Sequence, residues 1–136
     1  MNATRLFLLT TLSYVVTYAS AQRLSDPDGP HCPDGPGPVR STTLYSDSAC
    51  TSFLLCIDKA VRPHLHRTHT EHVFVLDGSA EMLLGDSTFN VKPGDALLIP
   101  AGTPHAIKVK SGGPLRVISV QSPFFDGTDR VWLDEQ

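Results

Sequence analysis

The apolar residues of the chain fall in short runs. Phe53–Ile57, His72–Leu76, Ala80–Leu84, Ala96–Ile99, Ala106–Val109 and Leu115–Val120 are each four to six residues long. Turn-forming clusters separate them: Asp77-Gly78, Gly85-Asp86, Lys92-Pro93-Gly94-Asp95, Pro100-Ala101-Gly102 and Ser111-Gly112-Gly113-Pro114. No window carries the apolar stripe of an amphipathic helix. Short strands punctuated by Gly and Pro are how a sandwich or a barrel reads, so the pattern predicts an all-β domain. Alternation also assigns faces. On a strand, Glu71, Val73 and Val75 share one face, and His72, Phe74 and Leu76 share the other.

The first 41 residues follow a different pattern. Arg5 precedes an apolar stretch from Leu6 to Val16, and Ala19-Ser20-Ala21 supplies small residues for cleavage. This order predicts a secretory signal peptide over residues 1–21. A membrane anchor fits less well, because the apolar stretch is short and interrupted by Thr. Residues 22–41 hold Asp26-Pro27-Asp28-Gly29-Pro30 and Pro33-Asp34-Gly35-Pro36-Gly37-Pro38 and read as a Pro/Gly-rich linker. The folded domain is expected over 42–136, secreted or periplasmic, with no membrane attachment after cleavage.

Composition narrows the function classes. The 136 residues carry a net charge of −3, with 11 Lys plus Arg against 14 Asp plus Glu. A chain without a basic excess is not built to neutralise phosphates, which argues against nucleic acid as a partner. Eleven prolines and ten glycines argue against long helices. Three cysteines in an exported chain allow one disulfide and leave one thiol over. Cys56 lies in an apolar run and reads as a buried free thiol, so Cys32–Cys50 is the expected pair.

The histidines carry the candidate chemistry. Five of the six lie between positions 64 and 105. His64 and His66 are two apart, so on a strand both imidazoles aim at one point. Glu71 opens the next strand on the face of its core valines, where an ionised carboxylate needs a cation or hydrogen bonds. A divalent metal shared with two imidazoles would supply that. His105, after the rigid turn Pro100-Ala101-Gly102-Thr103-Pro104, can complete the set. His31 and His69 read as satisfied structural residues, and His72 faces away from Glu71. Arg62 beside the pair can receive a carboxylate, and Tyr45 can hydrogen-bond a ligand; for both, a plain surface or packing role is the competing reading.

These spacings resemble the two motifs of the cupins. His64-Leu65-His66, four residues, Glu71, six residues and Gly78 match the first motif. Gly94, five residues, Pro100-Ala101-Gly102, two residues and His105 match the second. The first motif's opening Gly is Asp58 here and the second motif's closing Asn is Val109; neither position is a metal ligand in the family. The resemblance covers Thr42 to about Ser122. It implies a short jelly-roll β-barrel with a metal in its mouth, held by His64, His66, Glu71 and His105. The metal would be one divalent transition ion: Mn, Fe, Ni, Cu or Zn. Phe53 or Leu54, Val73, Val75, Leu98, Ile107 and Val117 are expected to line an apolar pocket for a small-molecule ligand or substrate. The implied activity is metal-centred, of dioxygenase or isomerase/lyase type, with Glu71 as ligand and possible base. The alternative is a cupin that only binds a small molecule or the metal. Phe74 and Leu76 on the outer face suggest a homodimer.

Overall fold

Ten strands and no helix make up residues 31–133, the part of the chain that the computed structural model describes. The signal peptide expected at 1–21 lies outside the described residues, as does the linker up to residue 30. The strands are β1 Val39–Ser46, β2 Thr51–Ile57, β3 Ala60–His66, β4 Thr70–Asp77 and β5 Ala80–Leu84, then β6 Ser87–Val91, β7 Ala96–Ile99, β8 His105–Val109, β9 Leu115–Ser122 and β10 Arg130–Trp132. They form two five-stranded antiparallel sheets, ordered β1-β2-β9-β4-β7 and β10-β3-β8-β5-β6. The six apolar runs fall in β2, β4, β5, β7, β8 and β9, as their pattern predicts. Of the four strands that carry no such run, β1, β6 and β10 are sheet edges, and β3 is the interior strand that carries His64 and His66. An edge strand buries little of either face, so its sequence need not alternate. Sheet structure begins at Val39, three residues ahead of Thr42, because Val39–Ser41 pairs with Leu55–Ile57.

The core forms between the two inner faces. Ile57, Val75, Met82, Val91, Ile99, Leu115 and Val117 are buried there. Strand parity decides who enters. Val73, Val75, Ile107 and Val117 line the interior cavity, as expected from sequence. Leu98 does not: it pairs with His72 on the outer face and is 53% exposed. Its neighbours Leu97 and Ile99 point inward instead. On β2 the inward positions are Leu55 and Ile57, while Leu54 lies on the other face and Phe53 packs edge-on against Phe125.

The cysteine pairing differs from the expectation. Cys32 bonds Cys56, and Cys50 is the free thiol. Parity explains this too. Cys56 shares the outer face of β2 with Leu54, and the N-terminal arm runs along that side. Arg40 donates to the Pro33 carbonyl oxygen at 3.2 Å and pairs with Asp58 at 2.7 Å. The arm therefore brings Cys32 to Cys56. Cys50 instead sits in the β1–β2 turn, where Asp47 Oδ1 accepts its backbone N–H.

The β4–β5 turn shows why a glycine stands at position 78. Its φ is +82°, and a Cβ there would lie 2.8 Å from the Pro114 carbonyl oxygen. Only glycine fits both the conformation and the close approach of the two loops.

Candidate metal centre

The four sequence-selected residues come together, and they come from both sheets. His64 and His66 lie on β3 and His105 on β8, while Glu71 reaches across from β4. A bulge in β3 helps aim the first pair. Pro63 has no N–H to give the ladder, and the β3–β8 register shifts between Val61 and His64. After the shift His64 stands directly opposite His105, their ring centroids 4.1 Å apart. The Pro100–Pro104 turn is fixed against the same strand, since the Gly102 N–H donates to the His66 carbonyl oxygen at 2.6 Å.

All four are buried, with 2–5% of each residue exposed. One ligand atom from each of the three imidazoles lies within 4.8 Å of the others. Glu71 Oε2 is 3.5 Å from His66 Nε2 and 3.4 Å from His105 Nε2. Neighbouring ligands of a first-row ion at about 2.1 Å are separated by roughly 3.0–3.4 Å, so the cluster is close to metal spacing.

The outer nitrogens are committed elsewhere. His64 Nδ1–H donates to the Arg62 carbonyl oxygen and His105 Nδ1–H to that of Thr103, both at 2.9 Å. A carbonyl oxygen can only accept, so both rings carry a proton on Nδ1, and it is their Nε2 atoms that face inward and would ligate a metal. His66 differs: its Nδ1 lies 3.4 Å from Asp129 Oδ2, an ion-pair distance, and is buried without completing a hydrogen bond. Nε2 of His66 and Nε2 of His105 are buried and complete no hydrogen bond of good geometry. Buried, unsatisfied nitrogens converging on a carboxylate are what a cation would complete, and this donor set fits a divalent transition ion.

Electrostatics prepares the same chemistry. Burial, with His105 close by, pushes the His64 pKa down to about 4, so its imidazole is neutral at pH 7. Burial would push the Glu71 carboxyl up, but His105, His66 and the Ser119 hydroxyl more than offset it and hold it well below the usual carboxylate range. Ser119 Oγ donates to Glu71 Oε1, with Gln121 Nε2 3.4 Å from the same oxygen. Ser119 and Gln121 escape a reading of motifs. Their signal is parity, since they continue the inward row of Leu115 and Val117 as polar residues.

A second cluster joins His66, His69 and Asp129. Its atoms are already engaged. His69 Nδ1–H donates to Asp129 Oδ2, and the other ring nitrogen meets the Phe124 carbonyl oxygen at 2.8 Å. Asp129 Oδ1 accepts from the Thr68 N–H and the Thr68 hydroxyl, each at 2.9 Å. Although buried, Asp129 is held well below the usual carboxylate range, by the His69 hydrogen bond first and Thr68 next. This cluster clamps the C-terminal segment onto the β3–β4 loop. His69 is therefore the satisfied structural residue expected of it, and His72 is exposed on the outer face. Tyr45 is also away from the site, donating to Asp47 at 2.9 Å.

Beside the centre lies a cavity of about 390 Å³, lined by His64, Glu71 and His105 at its polar end and by aliphatic side chains elsewhere. His66 sits behind these residues. The exposed lining residues, Pro38, Val39, Ser41, Arg130 and Trp132, belong to the chain segments at β1 and β10, so the cavity opens along that edge.

Fold and site together define a double-sheet barrel with a buried three-histidine, one-carboxylate cluster at an apolar cavity. The family model for the cupin domain matches residues 54–121, and the chain belongs to that family. Mannose-1-phosphate guanylyltransferase RfbM of Salmonella typhimurium is 33% identical over 96 residues, 66% of this chain and 20% of that protein. An uncharacterised protein of Methanocaldococcus jannaschii is 35% identical over 71 residues, 52% of this chain and 57% of its own length. The chain thus spans only part of either relative. Quercetin 2,3-dioxygenase of Bacillus subtilis is 40% identical over 48 residues, 35% of this chain and 14% of that protein. Among solved structures, KdgF from Halomonas sp. superposes with a TM-score of 0.66 at 22% identity, covering 75% of this chain and 95% of that one. The nucleoside dehydratase Pac13 gives 0.62 at 13% identity, covering 71% and 78%. These two likenesses concern the fold.

Proposed function

We propose that this cupin binds one divalent transition metal through His64, His66, Glu71 and His105 and performs metal-centred chemistry on a small molecule held in the adjoining cavity. The observation that carries this reading is the convergence of buried, unsatisfied imidazole nitrogens and an ionised carboxylate at the polar end of an apolar cavity. When bound, a divalent ion would supply Lewis acidity or a site for O₂. The protein orients the imidazoles through Arg62, Thr103 and Asp129, and its aliphatic wall excludes water. Glu71, with its depressed basicity, serves better as anionic ligand than as base. Reaction of dioxygenase or isomerase/lyase type fits this arrangement. A dioxygenase is among the proteins similar to it in sequence, over 35% of this chain.

A second reading, a cupin that binds without turnover, draws support from one feature. Among the described residues lining the cavity, Glu71 is the one carboxylate, and no Lys is present. The test is turnover and O₂ uptake over a panel of small acids and phenols, with protein loaded in turn with Mn, Fe, Ni, Cu and Zn. Glu71→Gln at full metal occupancy then separates the roles. Loss of rate of about 10²–10⁴-fold with ligand binding kept assigns Glu71 to proton transfer. No turnover in the wild type with any metal favours the binder.

We further propose that the chain is exported and acts as a homodimer. The Cys32–Cys56 disulfide supports an oxidising compartment. Phe74 and Leu98, 43% and 53% exposed on the outer face of one sheet, support pairing through that face.

A further inference from the structure

Arg130, which lines the cavity opening, and Arg62, which lies over the neighbouring Trp132 ring, have no carboxylate partner among the described residues, whereas Arg40 pairs with Asp58. Both guanidinium groups lie over the same ring: Arg62 Cζ is 4.6 Å from the Trp132 centroid and Arg130 Cζ is 5.4 Å. In the β10–β3 register, Arg130 stands opposite His66 and Trp132 opposite His64. Cross-strand partners share a face, so β10 sets Arg130 and Trp132 on the side of the two imidazoles. Both line the cavity. Stacking on an aromatic face orients a guanidinium and leaves its in-plane N–H donors available, the arrangement suited to a carboxylate fork. Two like charges gathered at one indole also repel each other, and an anion bound nearby offsets that repulsion. Between this opening and the polar end at His64, Glu71 and His105 the wall is mostly aliphatic, with Val73, Val75, Ile107 and Val117 offering nothing to a charge.

We propose that Arg62, Arg130 and Trp132 form an anion-receiving rim, and that the cavity takes a small organic acid, its apolar body inside and its carboxylate at the rim. This rests on the reading of the cavity as a small-molecule site. It adds the chemical class of the molecule and the end by which it is held.

The metal itself attracts carboxylates, so the experiment uses metal-free protein. Trp132 is the sole tryptophan of the chain and reports binding at the rim by its fluorescence. The probes are 4-phenylbutanoate and 4-phenylbutan-1-ol, which share a skeleton and differ in charge; calorimetry repeats each titration. Charge-assisted bonds to a guanidinium predict a preference for the acid of about 10–100-fold at low salt, shrinking as salt rises. In Arg130→Met and Arg62→Met the preference should fall to about threefold or less, while Arg130→Lys retains part of it. Unfolding midpoints verify that each variant is folded, and the two Met variants serve as independent arms. Equal binding of acid and alcohol by the wild type, or an acid preference untouched in both Met variants, overturns the rim alone. Binding of neither probe overturns the rim together with the small-molecule reading of the cavity.

Discussion

Asp129→Asn exchanges an ionised, buried carboxylate for a neutral amide of the same size. In the native chain one carboxylate oxygen accepts from the Thr68 N–H and hydroxyl, and the other from His69 Nδ1–H, with His66 Nδ1 3.4 Å away. Either way the amide turns, its NH₂ faces groups that were donating. At least one buried donor then loses its acceptor, at a cost of about 1–3 kcal/mol for each such group. A total of roughly 2–4 kcal/mol follows, enough to lower the Tm by roughly 10–20 °C in a domain of about 100 residues. A second effect reaches the metal centre, because His66 loses its anionic partner. Removing such an outer carboxylate typically weakens metal binding by about 10–100-fold. Thr68→Val is the control. It deletes one hydrogen bond to Asp129, costs about 1 kcal/mol, and leaves the His66 contact in place. The assays are thermal unfolding of metal-free protein and Zn²⁺ affinity by chelator competition. If Asp129→Asn keeps metal affinity within about twofold of Thr68→Val, Asp129 does not orient His66 and is a loop clamp only.

His64 sets the pH response of the metal-free protein. Its folded pKa of about 4 lies below the ordinary value of 6.5, so the unfolded chain takes up the proton first. Stability is therefore full above pH 6.5 and drains as pH falls toward 4, at up to about 1.4 kcal/mol per pH unit. Denaturant midpoints that stay level from pH 7 to 4.5 would contradict this. Leu98→Asp, on the exposed outer face of the edge strand β7, should convert the proposed dimer to monomer in light scattering without lowering the Tm by more than a degree or two. A wild-type mass equal to one chain at micromolar concentration removes the dimer from the account.

Much of the fold was legible because strand parity is a local property. The faces of β4 follow from Glu71, Val73 and Val75 alone, and the donor set follows from spacing that two strands and a rigid turn convert into convergence. The errors arose where parity was not carried through. Leu98 is expected inward although Leu97 and Ile99 occupy that face, and Cys56, buried as expected, is not the free thiol, because it shares Leu54's side, along which the N-terminal arm brings Cys32. Asp129 had no local signal at all. It lies 60 residues after His69, beyond the span that the family model matches, and reaches the site only because β10 pairs with β3. The arginine rim has the same origin. Arg62 beside the motif was visible, but its stacking on Trp132 depends on that long-range pairing.

A single metal centre made from both sheets can be read as metal content after loading and desalting, paired with the unfolding midpoint, for wild type and the His66→Ala/His105→Ala double variant. About one divalent ion per wild-type chain is expected, with a midpoint that rises with free metal, by about 2.7 kcal/mol of stability at one hundred times the Kd, and neither response in the double variant. Equal metal content in the two proteins would contradict the assignment of His64, His66, Glu71 and His105 as the site.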